Sequence, residues 1–224
     1  MSVVLHAGAN FHIPDTDHEP DLSRYTHLLL QNEIPLPSTL AHLRAAGQVR
    51  LTTVFNPSPM LSPSELREFP WTDLTWLIVN EGELSSLLEA FGVGLAATKG
   101  ENTSLRERAE VQLLALHGCS DFAPTVSVIC TLGSQGILYF ESPSALSGKP
   151  TIRHLPAAKL KRPLKDTTGA GDCFAGYFVA GLMRRKEGDG LEWILQTCLT
   201  VSSTGDAGCH QSLMNSGMFD VRGE

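Results

Sequence analysis

Short apolar runs and longer amphipathic stretches alternate along this chain. Runs rich in leucine or β-branched residues read as strands at Ser2–His6, His27–Gln31, Val49–Phe55, Leu74–Val79, Val126–Thr131 and Ile137–Phe140. Apolar residues recur at helical spacing in Ser38–Ala46, Glu83–Phe91, Ser104–His117, Ala170–Arg185 and Leu191–Ser202. Ser104 and Glu107 have the spacing of a capping box, in which each side chain accepts the other's backbone N–H at a helix start. This alternation predicts βαβ units and a mainly parallel sheet covered by helices on both faces. Pro57–Pro63 and Ser142–Pro150 read as surface loops. No repeat, low-complexity tract or long linker divides the chain, so it is read as one α/β domain.

Several predicted strands end in polar residues: Gln31-Asn32-Glu33, Asn56, Asn80-Glu81 with Glu83, and Thr131 with Gly133 and Ser134. In an open parallel sheet, ligands bind beyond the carboxyl ends of the strands. These groups are therefore expected to line one crevice, facing a glycine turn near residue 170. Each also has a local structural use. Asn56-Pro57 starts turns, Glu81 and Glu83 suit a helix N-terminus, and Thr131 to Ser134 suits an ordinary turn.

The glycine turn is Asp166-Thr167-Thr168-Gly169-Ala170-Gly171-Asp172-Cys173-Phe174-Ala175-Gly176, and it opens into a helix with Ala170, Phe174, Phe178 and Leu182 on one face. Small residues there let a ligand approach the backbone. The unpaired N–H groups of the first helical turn, with the helix dipole, favour an anion. Asp172 sits within this anion site. A carboxylate is a poor phosphate ligand but a good base for an attacking hydroxyl, which points to phosphoryl transfer to an alcohol. No Gly-Lys-Ser/Thr follows, which excludes a P-loop, and Phe174 stands where a dinucleotide fingerprint needs glycine. Read alone, Asp172 is also a dipole-compensating acid.

The net charge of −7 gives no reason to expect nucleic acid or an anionic membrane as partner. The basic cluster Lys159, Lys161, Arg162 and Lys165 reads first as a solvated face, with weak phosphate steering as the other use. Five cysteines without a C-x-x-C pair argue against a disulfide framework and a structural zinc site, and for a reducing compartment, the cytoplasm or the nucleus. The apolar start Met1–Leu5 is too short for a signal peptide or a membrane span.

Asp166–Gly176 as a whole resembles the C-terminal signature of the ribokinase-type (PfkB) sugar kinases. Gly8-Ala9-Asn10, Leu28–Pro35, Asn56-Pro57-Ser58-Pro59, Asn80-Glu81-Gly82-Glu83 and Thr131-Leu132-Gly133-Ser134-Gln135-Gly136 resemble further family segments, so the likeness runs from about Val3 to Leu213. It implies a three-layer α/β/α fold and ATP-dependent phosphorylation of a sugar hydroxyl, D-ribose foremost, with Mg²⁺ and a potassium-type ion as cofactors. By this resemblance Asp172 is the catalytic base and touches the sugar with Glu33. Asn80 and Glu83 organise phosphate and Mg²⁺, Thr131–Gly136 form a nucleotide turn, and Gly169, Ala170 and Gly171 form the anion hole. Thr197 falls near the adenine pocket. Asp166, Thr168, Ser203, Asp206, Gly208 and Ser212 fall on the monovalent-cation site.

Relatives carry a sugar-gripping region and a small lid sheet before the segment that opens this chain, and Met214–Glu224 is unlike their tail. The expectation is therefore a partial kinase domain over residues 1–224 without the lid sheet, with one sheet edge and some apolar surface uncovered, that alone turns ribose over poorly. Three function classes stay open: an active sugar kinase, a non-catalytic form retaining part of a nucleotide site, and a related kinase acting on another sugar or a nucleoside. Glu33 in its Gln-x-Glu-x-Pro setting favours ribose.

Overall fold

The computed structural model describes residues 8–11, 20–94, 103–142, 150–159, 169–186 and 188–202. The described strands are β1 (His27–Gln31), β2 (Thr52–Asn56), β3 (Trp76–Asn80), β4 (Ser127–Thr131), β5 (Ile137–Phe140) and β6 (Arg153–Leu155). The described helices are α1 (Leu36–Gln48), α2 (Pro63–Glu68), α3 (Glu81–Ala90), α4 (Leu105–His117), α5 (Ala170–Arg184) and α6 (Leu191–Ser202). Strands are hydrogen-bonded in chain order from β1 to β6. The first four are parallel, with Leu29 opposite Val54 and Ile78 opposite Ile129. The turn from β4 to β5 is too short for a crossover, so this pair is an antiparallel hairpin. The fold is α/β with a mostly parallel sheet, and no second sheet exists among the described residues.

The chain divides into two compact units, residues 1–132 with 138–153, and residues 133–137 with 154–224. In the first unit the strand order from β1 to β4 never reverses. Parallel crossovers are right-handed, so each one lays its helix on the same face of the sheet. Leu43 of α1, Leu66 of α2, Leu84 and Leu87 of α3 and Leu113 and Leu116 of α4 accordingly share one core with Phe55, Leu77, Val79, Val128 and Cys130. Burial there pushes the Cys130 thiol up to about 12, so it is an inert core residue. Phe69 stacks on Phe55 with centroids 4.9 Å apart, and the Trp71 ring N–H donates to the Leu66 carbonyl at 2.9 Å. Side chains alternate across the pleat, so Val54, Ile78 and Ile129 belong to the opposite face, which is buried as well. β1 is the exception. It is the edge strand, and Leu29 stays 37% exposed.

In the second unit, α5 buries Phe174, Phe178 and Leu182, and α6 buries Ile194, Leu195 and Cys198. The two helices approach closely at Gly181, where any added Cβ would run into Ile194.

The predicted strand Ser2–His6 lies outside the described residues. Among the described strands and α-helices, two were not foreseen. One is α2, which begins inside the proline-rich stretch read as loop; Ser62 and Glu65 form a capping box there and Pro63 fills the first helical position. The other is β6, only three residues long. β2 starts later than predicted because Val49 caps α1 and Arg50 takes a left-handed turn at φ 57°.

Candidate active site

Gln31, Asn56, Asn80 and Thr131 close β1 to β4, and strand parity puts all four on the face opposite the α1–α4 core. Gln31 is level with Asn56, and Asn80 with Thr131. Polar side chains tie each strand end to the next. Asn32 N–H donates to the Ser58 carbonyl at 3.3 Å, and Asn32 Nδ2 to the Pro59 carbonyl at 2.8 Å. The buried Asn56 Nδ2 donates to the Ile78 carbonyl at 2.9 Å. Thr131 Oγ1 donates to the Val79 carbonyl at 3.5 Å. The first unit thus presents a continuous polar rim carrying Glu33, Asn80, Glu83 and Thr131. Leu132 follows it, with its side chain in the core and only its backbone left for a ligand.

Glu83 differs from every comparable carboxylate described. Three helices start with capping boxes: Ser62 with Glu65, Asn80 with Glu83, and Ser104 with Glu107. In the exposed pairs, hydrogen bonds from the cap residue hold Glu65 and Glu107 below the ordinary carboxylate range. Glu83 makes the same bonds: it accepts the Asn80 N–H at 2.8 Å, and its own N–H donates to Asn80 Oδ1 at 2.9 Å. Ser58 also hydrogen-bonds it. Yet its pKa is raised, because burial outweighs all three interactions. A desolvated carboxylate at the carboxyl ends of parallel strands is a functional candidate on physical grounds. Its neighbour Glu81 instead faces Arg108 of α4 at 4.0 Å. The Asn-x-x-Glu spacing is therefore a helix cap that also leaves a desolvated carboxylate at the end of a parallel strand.

The second unit holds two backbone cradles. In the first, Gly133, Ser134 and Gln135 are exposed. Gly136, at φ 91°, packs so tightly against the backbone of Leu155 to Ala157 that no side chain fits. His154 Nε2 donates to the Gln135 carbonyl at 2.8 Å and fastens the turn to β6. In the second cradle, Gly169 is the N-cap of α5 at φ 73° and offers no side-chain cap. Gly171 and Asp172 are exposed in the first turn, and a Cβ at Gly171 would meet open space. The Asp172 carboxylate arches back over Gly169, 3.9 Å from where a Cβ would stand. This is an open helix N-terminus with a carboxylate at its lip. The Thr197 hydroxyl donates to the Trp193 carbonyl at 2.8 Å, within α6. Asp166, Thr168, Ser203, Asp206, Gly208 and Ser212 lie outside the described residues.

Residues 10–203 match the family described as pfkB family carbohydrate kinase. The chain belongs to this family. The pfkB chain is similar over 90% of its length to a ribokinase of Cryptococcus neoformans solved in complex with ADP, with 53% identity and a TM-score of 0.79, covering 60% of that chain. It is 27% identical over 177 residues to the mouse ribokinase, which is 78% of this chain and 47% of the relative. It is 27% identical over 227 residues to the ribokinase of Schizosaccharomyces pombe, which is 98% of this chain and 64% of the relative. The pfkB chain thus spans about half to two thirds of these proteins' length. The hydrogen bonds by which Asn32 and Ser58 fasten neighbouring turns were not foreseen, because no motif spacing signals them.

Proposed function

We propose that the chain carries the phosphoryl-transfer half of a ribokinase, for the reaction ATP plus D-ribose giving ADP and ribose 5-phosphate. Asp172 takes the proton from the sugar's primary hydroxyl as that oxygen attacks the γ-phosphorus and the bond to ADP breaks. The N–H groups of Gly169 to Gly171 hold the charge on the phosphoryl oxygens. The turn at Gly133–Gly136 receives the nucleotide through its backbone, Thr197 lies beside the adenine, and Glu33 receives a sugar hydroxyl.

The residues fit a magnesium ion. Mg²⁺ takes oxygen ligands and keeps several waters. Glu83 is a half-buried carboxylate whose ionised form a nearby cation would stabilise, while the Asn80 side-chain oxygen is engaged by the Glu83 N–H. Glu83, through water, is thus the residue that would hold the ion. When bound, Mg²⁺ neutralises triphosphate charge.

One observation carries this reading: a helix start where Gly169 offers no side-chain cap and Asp172 stands in the first turn, in a chain 53% identical to a ribokinase over 90% of its length. A coupled ADP-release assay with the purified chain tests it. Ribose-dependent ADP release is expected, to be set against the ordinary enzyme range of about 1–1000 per second. A second reading, a nucleotide-binding chain without turnover, draws on the partial span of the relatives. Binding of MgATP with no ribose-dependent ADP release selects it. Release with adenosine but not ribose selects a nucleoside kinase.

A further inference from the structure

Asn32 makes two hydrogen bonds to one neighbouring turn, its N–H to the Ser58 carbonyl at 3.3 Å and its Nδ2 to the Pro59 carbonyl at 2.8 Å. One bond would leave a hinge. Two bonds to successive carbonyls fix both the separation and the twist of the turn that follows β1. The turn it grips is itself held, since Ser58 N–H donates to the Asn56 carbonyl at 2.8 Å and Asn56 Nδ2 to the Ile78 carbonyl at 2.9 Å. Ser58 also reaches the carboxylate of Glu83. A chain of contacts therefore runs from Asn32 across the β2 turn to the start of α3. Glu33, next in sequence, is exposed at the outer end of that chain.

We propose that Asn32 is a positioning residue for the sugar side of the site: its double hydrogen bond sets the turn after β1 in one frame with the turn after β2, so that the frame aims Glu33. The inference rests on reading Glu33 as a sugar contact. A carboxylate on a pivoting turn loses conformational freedom on meeting its ligand, and that loss weakens binding. The clasp orders the turn beforehand. Removing it should therefore weaken sugar binding while nucleotide binding, which the proposed function gives to the turns at Gly133–Gly136 and Gly169–Gly171, is unchanged. A fastening that only supports the fold would weaken both ligands or neither.

The test uses the intact 224-residue chain and two variants. Asn32→Asp keeps the shape but sets an acceptor against the Pro59 carbonyl. Asn32→Leu removes the donor without adding charge. NMR amide exchange is expected to show protection at Asn32 falling about 3- to 10-fold in both variants, the worth of one hydrogen bond, with the core amides of Phe55 and Val79 unmoved. Titration with D-ribose, followed at the Glu33 amide, should need a several-fold higher concentration in both variants, while MgADP affinity by calorimetry stays within about twofold. Unchanged protection at Asn32 overturns the proposal, as does MgADP affinity falling in parallel with ribose affinity. A wild-type chain in which ribose leaves the Glu33 amide unmoved overturns the sugar-contact reading instead. Whether the clasp orders the turn is then decided by the exchange measurement alone.

Discussion

Asp172 stands in the first turn of α5, where a carboxylate compensates the helix dipole; the proposed function adds acceptance of a proton. The two uses separate under Asp172→Asn, which keeps shape and an oxygen but removes the base. The ribose-dependent rate is expected to fall about 10²–10⁴-fold, with stability changed by no more than the dipole contribution of about 0.3–1 kcal/mol. A rate within a few-fold of wild type together with a lower melting temperature would make Asp172 a structural acid. The glycines divide in a similar way. Gly136→Ala forces a side chain into the backbone of Leu155 to Ala157 at a positive φ, and thermal melts should show a loss of more than about 1 kcal/mol. Gly171→Ala meets open space. Stability should hold or rise by up to about 1 kcal/mol, as alanine replaces glycine in a helix, while calorimetry shows weaker nucleotide binding from the crowded cradle. Glycine spacing made the start of α5 legible, and strand-end polar groups made the rim at Gln31, Asn56, Asn80 and Thr131 legible. The double hydrogen bond of Asn32 was not, because a doubled bond to a distant turn leaves no periodic trace in the sequence.

Among the elements, the three capping boxes differ in the sign of their response to pH. Glu107 has its folded pKa lowered, so the stability it contributes is present above its ordinary value near 4.5 and is lost as pH falls through the lowered folded value. Glu83 has its folded pKa raised, so its contribution is present below about 4.5 and is lost as pH rises through the folded value. From about pH 3 to pH 7, Glu107→Gln should therefore lose in melting temperature relative to wild type as pH rises toward about 4.5, and Glu83→Gln should gain as pH rises above it. Calorimetric melts across that range check both slopes, and parallel slopes would contradict the distinct burial of Glu83. Elements with strong local signals were read correctly. α4 carried its Ser104–Glu107 box, and β1 and β5 match their predicted spans. The box that starts α2 has the same spacing, hidden among prolines that read more strongly as loop. β6 is too short for any two-residue alternation to stand out.

On the scale of the whole molecule, ligand binding and stability are linked. A chain that binds MgATP only when folded should melt higher as MgATP is added, by about 2.7 kcal/mol of stability at a hundredfold excess over Kd. Scanning fluorimetry with MgATP and with metal-free ATP checks this. A smaller shift without metal is expected from the role given to Glu83, and no shift at millimolar MgATP would remove the nucleotide reading. The α/β class was legible from alternation alone. The division into two compact units was not, because the second draws residues 133–137 from the middle of the first, and such interleaving depends on contacts distant in sequence.

The strand order carries a further consequence, for how the chain is made. β2 pairs with β1, β3 with β2 and β4 with β3, so each strand leaving the ribosome finds its template already waiting in the strand before it. The chain emerges amino-terminal end first during synthesis, and pairings between segments near in sequence form fastest. The sheet can therefore grow by accretion, one strand and one helix at a time, always at the edge away from β1.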